Sequence, residues 1–258
     1  MNPSPNGRHQ TRITSDETIT IEDIQTSQTI SLEDPYRGKY PDFVDARWSP
    51  GGDLLAVVYY DFSIPFQAMG GLAIYTVEGT IYRQFEGILS VNWAPDNTYR
   101  ILYGQTGADG HYIPCILTTA DNTSACFSAV ADWGELQGVE TGGYTWSPDA
   151  GQISFIYWSD YPDLGGLCVM DLIGTEITCL LTEQTMGGGD ESEVYDPTYV
   201  VRYQWSPDGR YLWLLIDPFG PGSDDRGYSE IATIARDGSQ YQVWGSGHEA
   251  FWRPPINP

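Results

Sequence analysis

Few side chains in this chain of 258 residues have the type and spacing that chemistry demands. The histidines are His9, His111 and His248, and none sits at His-x-x-x-His spacing. The four cysteines show no Cys-x-x-Cys pair, so zinc is not indicated. A Gly-x-Ser-x-Gly elbow and a phosphate-binding glycine loop are both missing from the sequence. Gly187-Gly188-Gly189-Asp190-Glu191 is flexible linker chemistry followed by acid. No Asp-x-Asp-x-Asp-Gly calcium loop occurs, although Asp224-Asp225 and Asp190 to Glu193 could hold a Ca²⁺ ion loosely. No other cofactor is expected. Asn122-Thr123-Ser124 is a lone glycosylation sequon.

What the chain has in excess is carboxylate. Thirty-five Asp and Glu stand against 12 Lys and Arg, a formal net charge of −23. Lys39 is the single lysine. Without a basic stripe to neutralise phosphates, nucleic acid is not an expected partner. Aromatics are dense at 14%, which argues against a disordered acidic chain. Acids and aromatics mix in one candidate binding set: Asp61, Phe62, Trp133, Trp158, Asp160, Tyr161, Asp217 and Phe219. Aromatic platforms flanked by carboxylates suit stacking on sugars or holding cationic peptide groups. The competing reading is that the acids solvate loops and the aromatics pin them. A second set alternates with period two: Asp45 and Arg47, Asn92, Thr145, Arg202 and Gln204, and Glu249. On strands, that period puts them on one face, where they could line a central channel.

The elements that must position these residues follow from an internal repeat. The phrase recurs as Trp48-Ser49-Pro50-Gly51-Gly52, Trp93-Ala94-Pro95-Asp96-Asn97, Trp146-Ser147-Pro148-Asp149-Ala150 and Trp205-Ser206-Pro207-Asp208-Gly209. Trp252-Arg253-Pro254 is a cut-off copy, and Pro3-Ser4-Pro5-Asn6-Gly7-Arg8 a degenerate one without its Trp. The units begin near residues 5, 50, 95, 148 and 207. Ser-Pro-Asp-Gly is turn chemistry: Pro presets φ, Asp folds back on the backbone, and Gly supplies positive φ. A short extended run precedes each Trp, as in Phe43 to Trp48. A hydrophobic run follows each turn: Leu54 to Tyr60, Arg100 to Tyr103, Gln152 to Trp158, Tyr211 to Ile216. Then comes a hairpin closed on Glu78-Gly79, Ile173-Gly174 or Asp237-Gly238. Four strands per unit, repeated radially, describe a β-propeller blade. The expected fold is therefore all-β, one propeller domain over 1–258 with five blades.

These residues carry a resemblance. The Trp-Ser-Pro-Asp-Gly phrase, with Cys168-Val169-Met170-Asp171-Leu172 as a third strand, resembles the TolB-type propeller repeat, a relative of the WD repeat. The likeness runs from Pro3 to Pro254. The third copy departs from it at Asn97, where Gly is usual. The resemblance implies the fold and an interaction platform, and names no ligand.

In the related WD architecture the phrase ends the innermost strand. On that reading Glu249 to Trp252 is an innermost strand with nothing after it. Gln10 to Thr14, Thr18 to Asp23 and Thr29 to Leu32 are three outer strands with nothing before them. Pairing these ends would close a five-bladed ring and leave no open edge. The alternative is that Met1 lies inside a larger propeller. The short turns alternate onto one face. The variable connections fall on the other, at Asp61 to Gly70, Gln105 to Gly110, Ser159 to Gly165 and Asp217 to Tyr228 within blades. Between blades they are Glu33 to Pro41, Ala131 to Gly142 and Glu183 to Thr198.

Cys115 and Cys168 align on matching third strands, Cys126 and Cys179 on matching fourth strands. This favours Cys115–Cys126 and Cys168–Cys179 disulfides. With a strict two-residue turn these would be hydrogen-bonded pairs, a less comfortable place for a bridge. The alternative is four buried apolar thiols. Disulfides would place the protein in an oxidising, extracytoplasmic space. Met1 to Gln28 is polar and shows no signal peptide, and no apolar run is long enough to span a membrane.

The first functional expectation is a monomeric, non-enzymatic binding module whose loop face meets protein, peptide or glycan, with no residue assigned to catalysis. The second is a glycosidase-like hydrolase with axial carboxylates from Asp45, Glu249, Asp61 or Asp217, about 5–9.5 Å apart. The third is a sensory or scaffolding fragment of a larger anchored protein.

Overall fold

A computed structural model of the chain describes residues 2–14, 18–36, 42–61, 69–88, 90–106, 112–127, 140–160, 163–174, 176–181, 199–217, 229–247, 250 and 252. They form five four-stranded antiparallel sheets, with no helix among the described residues. The chain divides into two compact units, Met1–Cys126 and Phe127–Pro258.

The first unit holds three blades. Blade 1 is β1 (Asn2–Pro3), β2 (His9–Ile13), β3 (Ile19–Asp23) and β4 (Thr29–Ser31). Blade 2 is β5 (Asp42–Trp48), β6 (Leu54–Asp61), β7 (Met69–Thr76) and β8 (Ile81–Glu86). Blade 3 is β9 (Asn92–Trp93), β10 (Arg100–Thr106), β11 (Tyr112–Thr118) and β12 (Thr123–Cys126). The second unit holds blade 4, which is β13 (Glu140–Trp146), β14 (Gln152–Asp160), β15 (Asp163–Asp171) and β16 (Ile177–Leu181). It also holds blade 5, which is β17 (Tyr199–Trp205), β18 (Tyr211–Asp217), β19 (Glu230–Ala235) and β20 (Tyr241–Ser246). Every blade is a meander whose spatial order follows the chain. In blade 1 the first position is held by Asn2–Pro3, paired to β2. Of the expected partner segment, Glu249 to Trp252, residues 249 and 251 lie outside the described residues.

The repeat phrase closes the turn between the first two strands of a blade by a fixed set of bonds. The Ser N–H donates to the carbonyl of the fifth residue on, as Ser49 to Leu54, Ser147 to Gln152 and Ser206 to Tyr211. The Ser Oγ accepts the N–H of that same residue, at 3.1, 2.9 and 2.9 Å. Its hydroxyl donates to Asp149 at 2.6 Å and to Asp208 at 2.7 Å. Ser4 makes the same bonds to His9 and Asn6, so the degenerate first copy is a true structural copy. Copies with Gly at the left-handed position meet φ +71° at Gly52 and +68° at Gly209. Ala150 takes φ 54° at the same place. The third copy has Ala94 in place of Ser and runs one residue longer, with both Asn97 and Tyr99 at positive φ.

The long apolar run after each turn is explained by burial on both faces. Leu55, Val57 and Tyr59 pack with Ile19, Ile21 and Leu32 of blade 1. Leu54, Ala56 and Val58 pack with Ile101, Tyr103 and Leu117 of blade 3. In the second unit Leu212, Leu214 and Ile216 pack with Leu167, Val169 and Leu181. The repeat tryptophans latch neighbouring blades. Trp48 Nε1–H donates to the Asn2 carbonyl at 3.1 Å, Trp93 to Arg47 at 3.0 Å, and Trp252 to Gln204 at 3.4 Å. Each acceptor lies one residue before the preceding copy's Trp position. Trp205 instead reaches the Ser154 hydroxyl at 2.8 Å.

Both expected disulfides are formed, Cys115–Cys126 and Cys168–Cys179, and no described cysteine is free. The hairpin turn of blade 4 spans four residues rather than two, because Asp171 N–H donates to Glu176 across residues 172–175. Hydrogen-bonded and non-hydrogen-bonded pairs alternate along an antiparallel ladder. Three steps from Asp171–Glu176, the pair Cys168–Cys179 is therefore a non-hydrogen-bonded one, where side chains lie closest. The Cα separations of 3.9 and 4.0 Å match that placement.

One expected connection is shorter than the sequence suggests. Ser159 to Gly165 reads as a connection, yet β14 and β15 pair without a break out to Asp160 and Asp163. The reason is Gly166. A Cβ there would stand 2.3 Å from the Leu181 carbonyl oxygen. The Gly165-Gly166 pair is thus next to a close strand approach, not a turn.

Candidate functional site

The period-two residues sit on the first strands of their blades, and β-bulges aim three of them. Register slips occur between Phe43 and Asp45, Gly142 and Thr145, and Val200 and Arg202. Asp45, Thr145 and Arg202 each follow the slip directly. Bulges re-aim side chains and are common beside functional surfaces. Asp45 and Arg47 pair with one another at 2.6 Å, both partly exposed, so the Asp45 carboxylate is held as an ion-pair partner. Asn92 is half-buried in β9. The Thr145 carbonyl accepts the Ser154 hydroxyl at 3.3 Å. Gln204 accepts Trp213 Nε1–H at 3.1 Å. Glu249 lies outside the described residues.

Of the loop-face set, Phe62, Trp133, Tyr161 and Phe219 lie outside the described residues, as do Asp190 to Glu193 and Asp224-Asp225. Asp61, Asp160 and Asp217 end the second strands of blades 2, 4 and 5, and Trp158 lies within β14. Their backbones thus place them at the end opposite the Ser-Pro turns. No three His, Cys, Asp or Glu side chains among the described residues are grouped to hold a metal ion.

Every described carboxylate with a displaced pKa is displaced downward. The Ser147 hydroxyl and then the Arg236 guanidinium bring Asp149 to about 2. The Ser206 hydroxyl and then Arg210 bring Asp208 to about 2. Thr123 lowers Asp121, and Ser239 lowers Asp237. These acids are permanent anions near neutral pH, employed as turn acceptors. A general acid needs the opposite displacement. The raised groups are phenols. Burial pushes Tyr59 up to about 12 and Tyr75 further, and their hydroxyls share a 2.8 Å bond.

Two concave sites open at the turn ends of neighbouring blades. The larger, about 670 Å³, lies between blades 4 and 5 and is lined by Gln152, Asp171, Glu176, Asp208, Tyr211 and Arg236 among others. Arg236 spans it, donating to Gln152 Oε1 and, at 2.8 Å, to Asp149. The smaller, about 220 Å³, lies between blades 1 and 2 and is lined by Arg8, His9, Asp23, Gln28 and Glu78 with apolar walls from Ile21, Ile30 and Val77. His9 is 7% exposed, its ring stacks near Trp48, and its Nδ1 has no hydrogen-bond partner. Neither site carries a metal-ligand spacing or lies on a variable loop. The available signal was the repeat itself, which puts His9 and Gln152 at one position, five residues after the turn Ser.

No family model matches the chain, and no curated protein matches it. Solved structures do. TolB from Acinetobacter baumannii is similar with a TM-score of 0.53 and 14% identity, over 95% of this chain and 51% of that one. An oligogalacturonate lyase in complex with manganese has a TM-score of 0.64 and 10% identity, over 98% of this chain and 65% of that one. The β-propeller domain of the Trilobed protease from Pyrococcus furiosus has a TM-score of 0.58 and 14% identity, over 95% and 68%. The fold is a TolB-like β-propeller. This chain spans about half the length of the TolB chain and under two thirds of the lyase chain. At such identities the likeness is one of fold, and this propeller's activity must be argued from its own residues.

Proposed function

We propose that this propeller is a non-enzymatic binding module of an oxidising, extracytoplasmic compartment, presenting the loop ends of its blades to a protein, peptide or glycan. The observation that carries this reading is an asymmetry between the two ends of each blade. At one end the Ser-Pro turns repeat nearly the same hydrogen bonds from blade to blade. At the other, the second and third strands are joined across 62–68, 107–111, 161–162 and 218–229, with no common length. Variable connections on a uniform scaffold are where recognition is placed. The two disulfides support the compartment.

Glycan and peptide arrays probed with the oxidised chain test the proposal. Binding that falls when Trp133→Ala or Phe219→Ala is introduced, with the fold intact by circular dichroism, is the expected result. Turnover of glycosides or polyuronates that disappears in Asp217→Asn or Asp61→Asn would replace it with the hydrolytic reading.

A further inference from the structure

The two blade-junction sites are copies of one repeat position with different contents, and the difference identifies a ligand. Ser4 and Ser147 both accept the N–H of the fifth residue on, so His9 in blade 1 holds the place of Gln152 in blade 4. In the register, His9 faces Asp23 as Gln152 faces Asp171. On the neighbouring blade, Gly79 N–H donates to Thr76 and Gly238 N–H to Ala235. Val77 therefore holds the place of Arg236. At blades 4 and 5 the chain's own guanidinium reaches into the site and donates to Gln152 and Asp149. At blades 1 and 2 the equivalent side chain is apolar and donates nothing.

We propose that the blade 1–blade 2 pocket binds a guanidinium group from another molecule, an arginine side chain or a free arginine-like compound, in the place that Arg236 takes at blades 4 and 5. The chemistry of the lining suits such a group. His9 lines the pocket with Nε2 3.9 Å from Asp23 Oδ2, and its buried Nδ1 has no hydrogen-bond partner. A guanidinium N–H supplies the missing donor. Asp23 is held as an anion, first by the Thr26 N–H; its Oδ1 accepts the Gln25 and Thr26 N–H groups, and its Oδ2 is met by the largely exposed Arg8 at 3.4 Å, a long contact. With Glu78 it gives the lining one more negative than positive charge. Ile21, Ile30 and Val77 flank the space for an aliphatic stem. The pocket is smaller than the roughly 300–1,000 Å³ typical of whole small-molecule sites, so it accepts one side-chain-sized group. The site lies at the turn end and stands whether or not the loop ends bind anything.

The test titrates the full chain with Nα-acetyl-arginine amide at ~0.15 M salt, where exposed charges are screened beyond about 8 Å. Calorimetry gives the stoichiometry, and NMR follows the His9 imidazole. Expected are saturable binding at one site, movement of the His9 signals, and no binding of the neutral citrulline counterpart. Val77→Arg fills the pocket from within and should weaken binding roughly tenfold or more, as losing a charge-assisted hydrogen bond does. Glu78→Gln should weaken it less. Agmatine binding more tightly than the peptide Gly-Arg-Gly assigns the site to a free compound, and the reverse order to a peptide partner. Non-saturating uptake, an unmoved His9, equal affinity for the lysine counterpart, or unchanged binding in Val77→Arg would each overturn the proposal.

Discussion

A serine, a proline and an aspartate do most of the work at the turn end of each blade, and they do it with charge. Asp149 and Asp208 sit at about 2 because a hydroxyl and then a guanidinium donate to the carboxylate. Their unfolded value is about 3.9. A group with a depressed folded pKa contributes stability that is present above the unfolded value and lost as pH falls through the folded one. The window is therefore between about pH 4 and pH 2. Urea unfolding at steps across that range should show a falling midpoint, and Asp208→Asn should flatten part of the fall. Both carboxylates are substantially solvent-exposed, so screening keeps each contribution small. A midpoint that falls equally steeply in Asp208→Asn and in wild type would show that this aspartate is not part of the linkage. His9 belongs to the same scale: an imidazole placed where a sister copy has an amide is a change of ligand chemistry within a conserved frame.

Between blades, the element that matters is the repeat tryptophan, whose indole N–H reaches back to the preceding blade, to the main chain from Trp48, Trp93 and Trp252 and to the Ser154 hydroxyl from Trp205. Trp93→Phe keeps an aromatic ring but leaves the Arg47 carbonyl without that donor. Lost hydrogen bonding and a partly filled gap should cost about 1–3 kcal/mol. Trp244→Phe is the control, because Trp244 is 65% exposed and donates within its own blade to Thr233. That change should stay within about 0.5 kcal/mol. Equal urea midpoints for the two variants would remove the latch as a stabilising element. The blade itself was readable from the sequence because its turns are local: Ser, Pro, Asp and Gly act within six residues. The Cys pairs were readable for the same reason, one hairpin at a time. What acts across blades was not. The indole latches join residues 46 apart, and the His9 pocket needs Val77 and Glu78 of the next blade. Gly165-Gly166 misled because glycine serves close approach as well as turning, and only the partner strand tells which.

At the scale of the whole molecule the question is what −23 does to a fold in which six of the twelve cations are paired with carboxylates. Arg8, Arg12, Arg47, Arg100, Arg210 and Arg236 each lie within 4 Å of a carboxylate. These pairs neutralise themselves and leave the other acids far in excess of the other cations. Two opposed effects then respond to salt. Screening weakens each exposed pair, worth about 0–1 kcal/mol. It also weakens the repulsion summed over the excess acids, which opposes the compact state. The repulsion is long-ranged and the pairs are contacts, so added salt acts first on the repulsion. Raising NaCl from ~0.01 M to ~0.15 M shortens the Debye length from about 30 Å to about 8 Å, which separates charges on neighbouring blades but not partners in a pair. The thermal midpoint at pH 7 should therefore rise by a few degrees, roughly 2–4 °C for each kcal/mol regained. The rise should shrink at pH 4, where many of the excess acids are protonated while Asp149 and Asp208 still hold their turns. A midpoint that falls with salt at pH 7 would mean that the ion pairs, not the repulsion, dominate the electrostatics of this propeller.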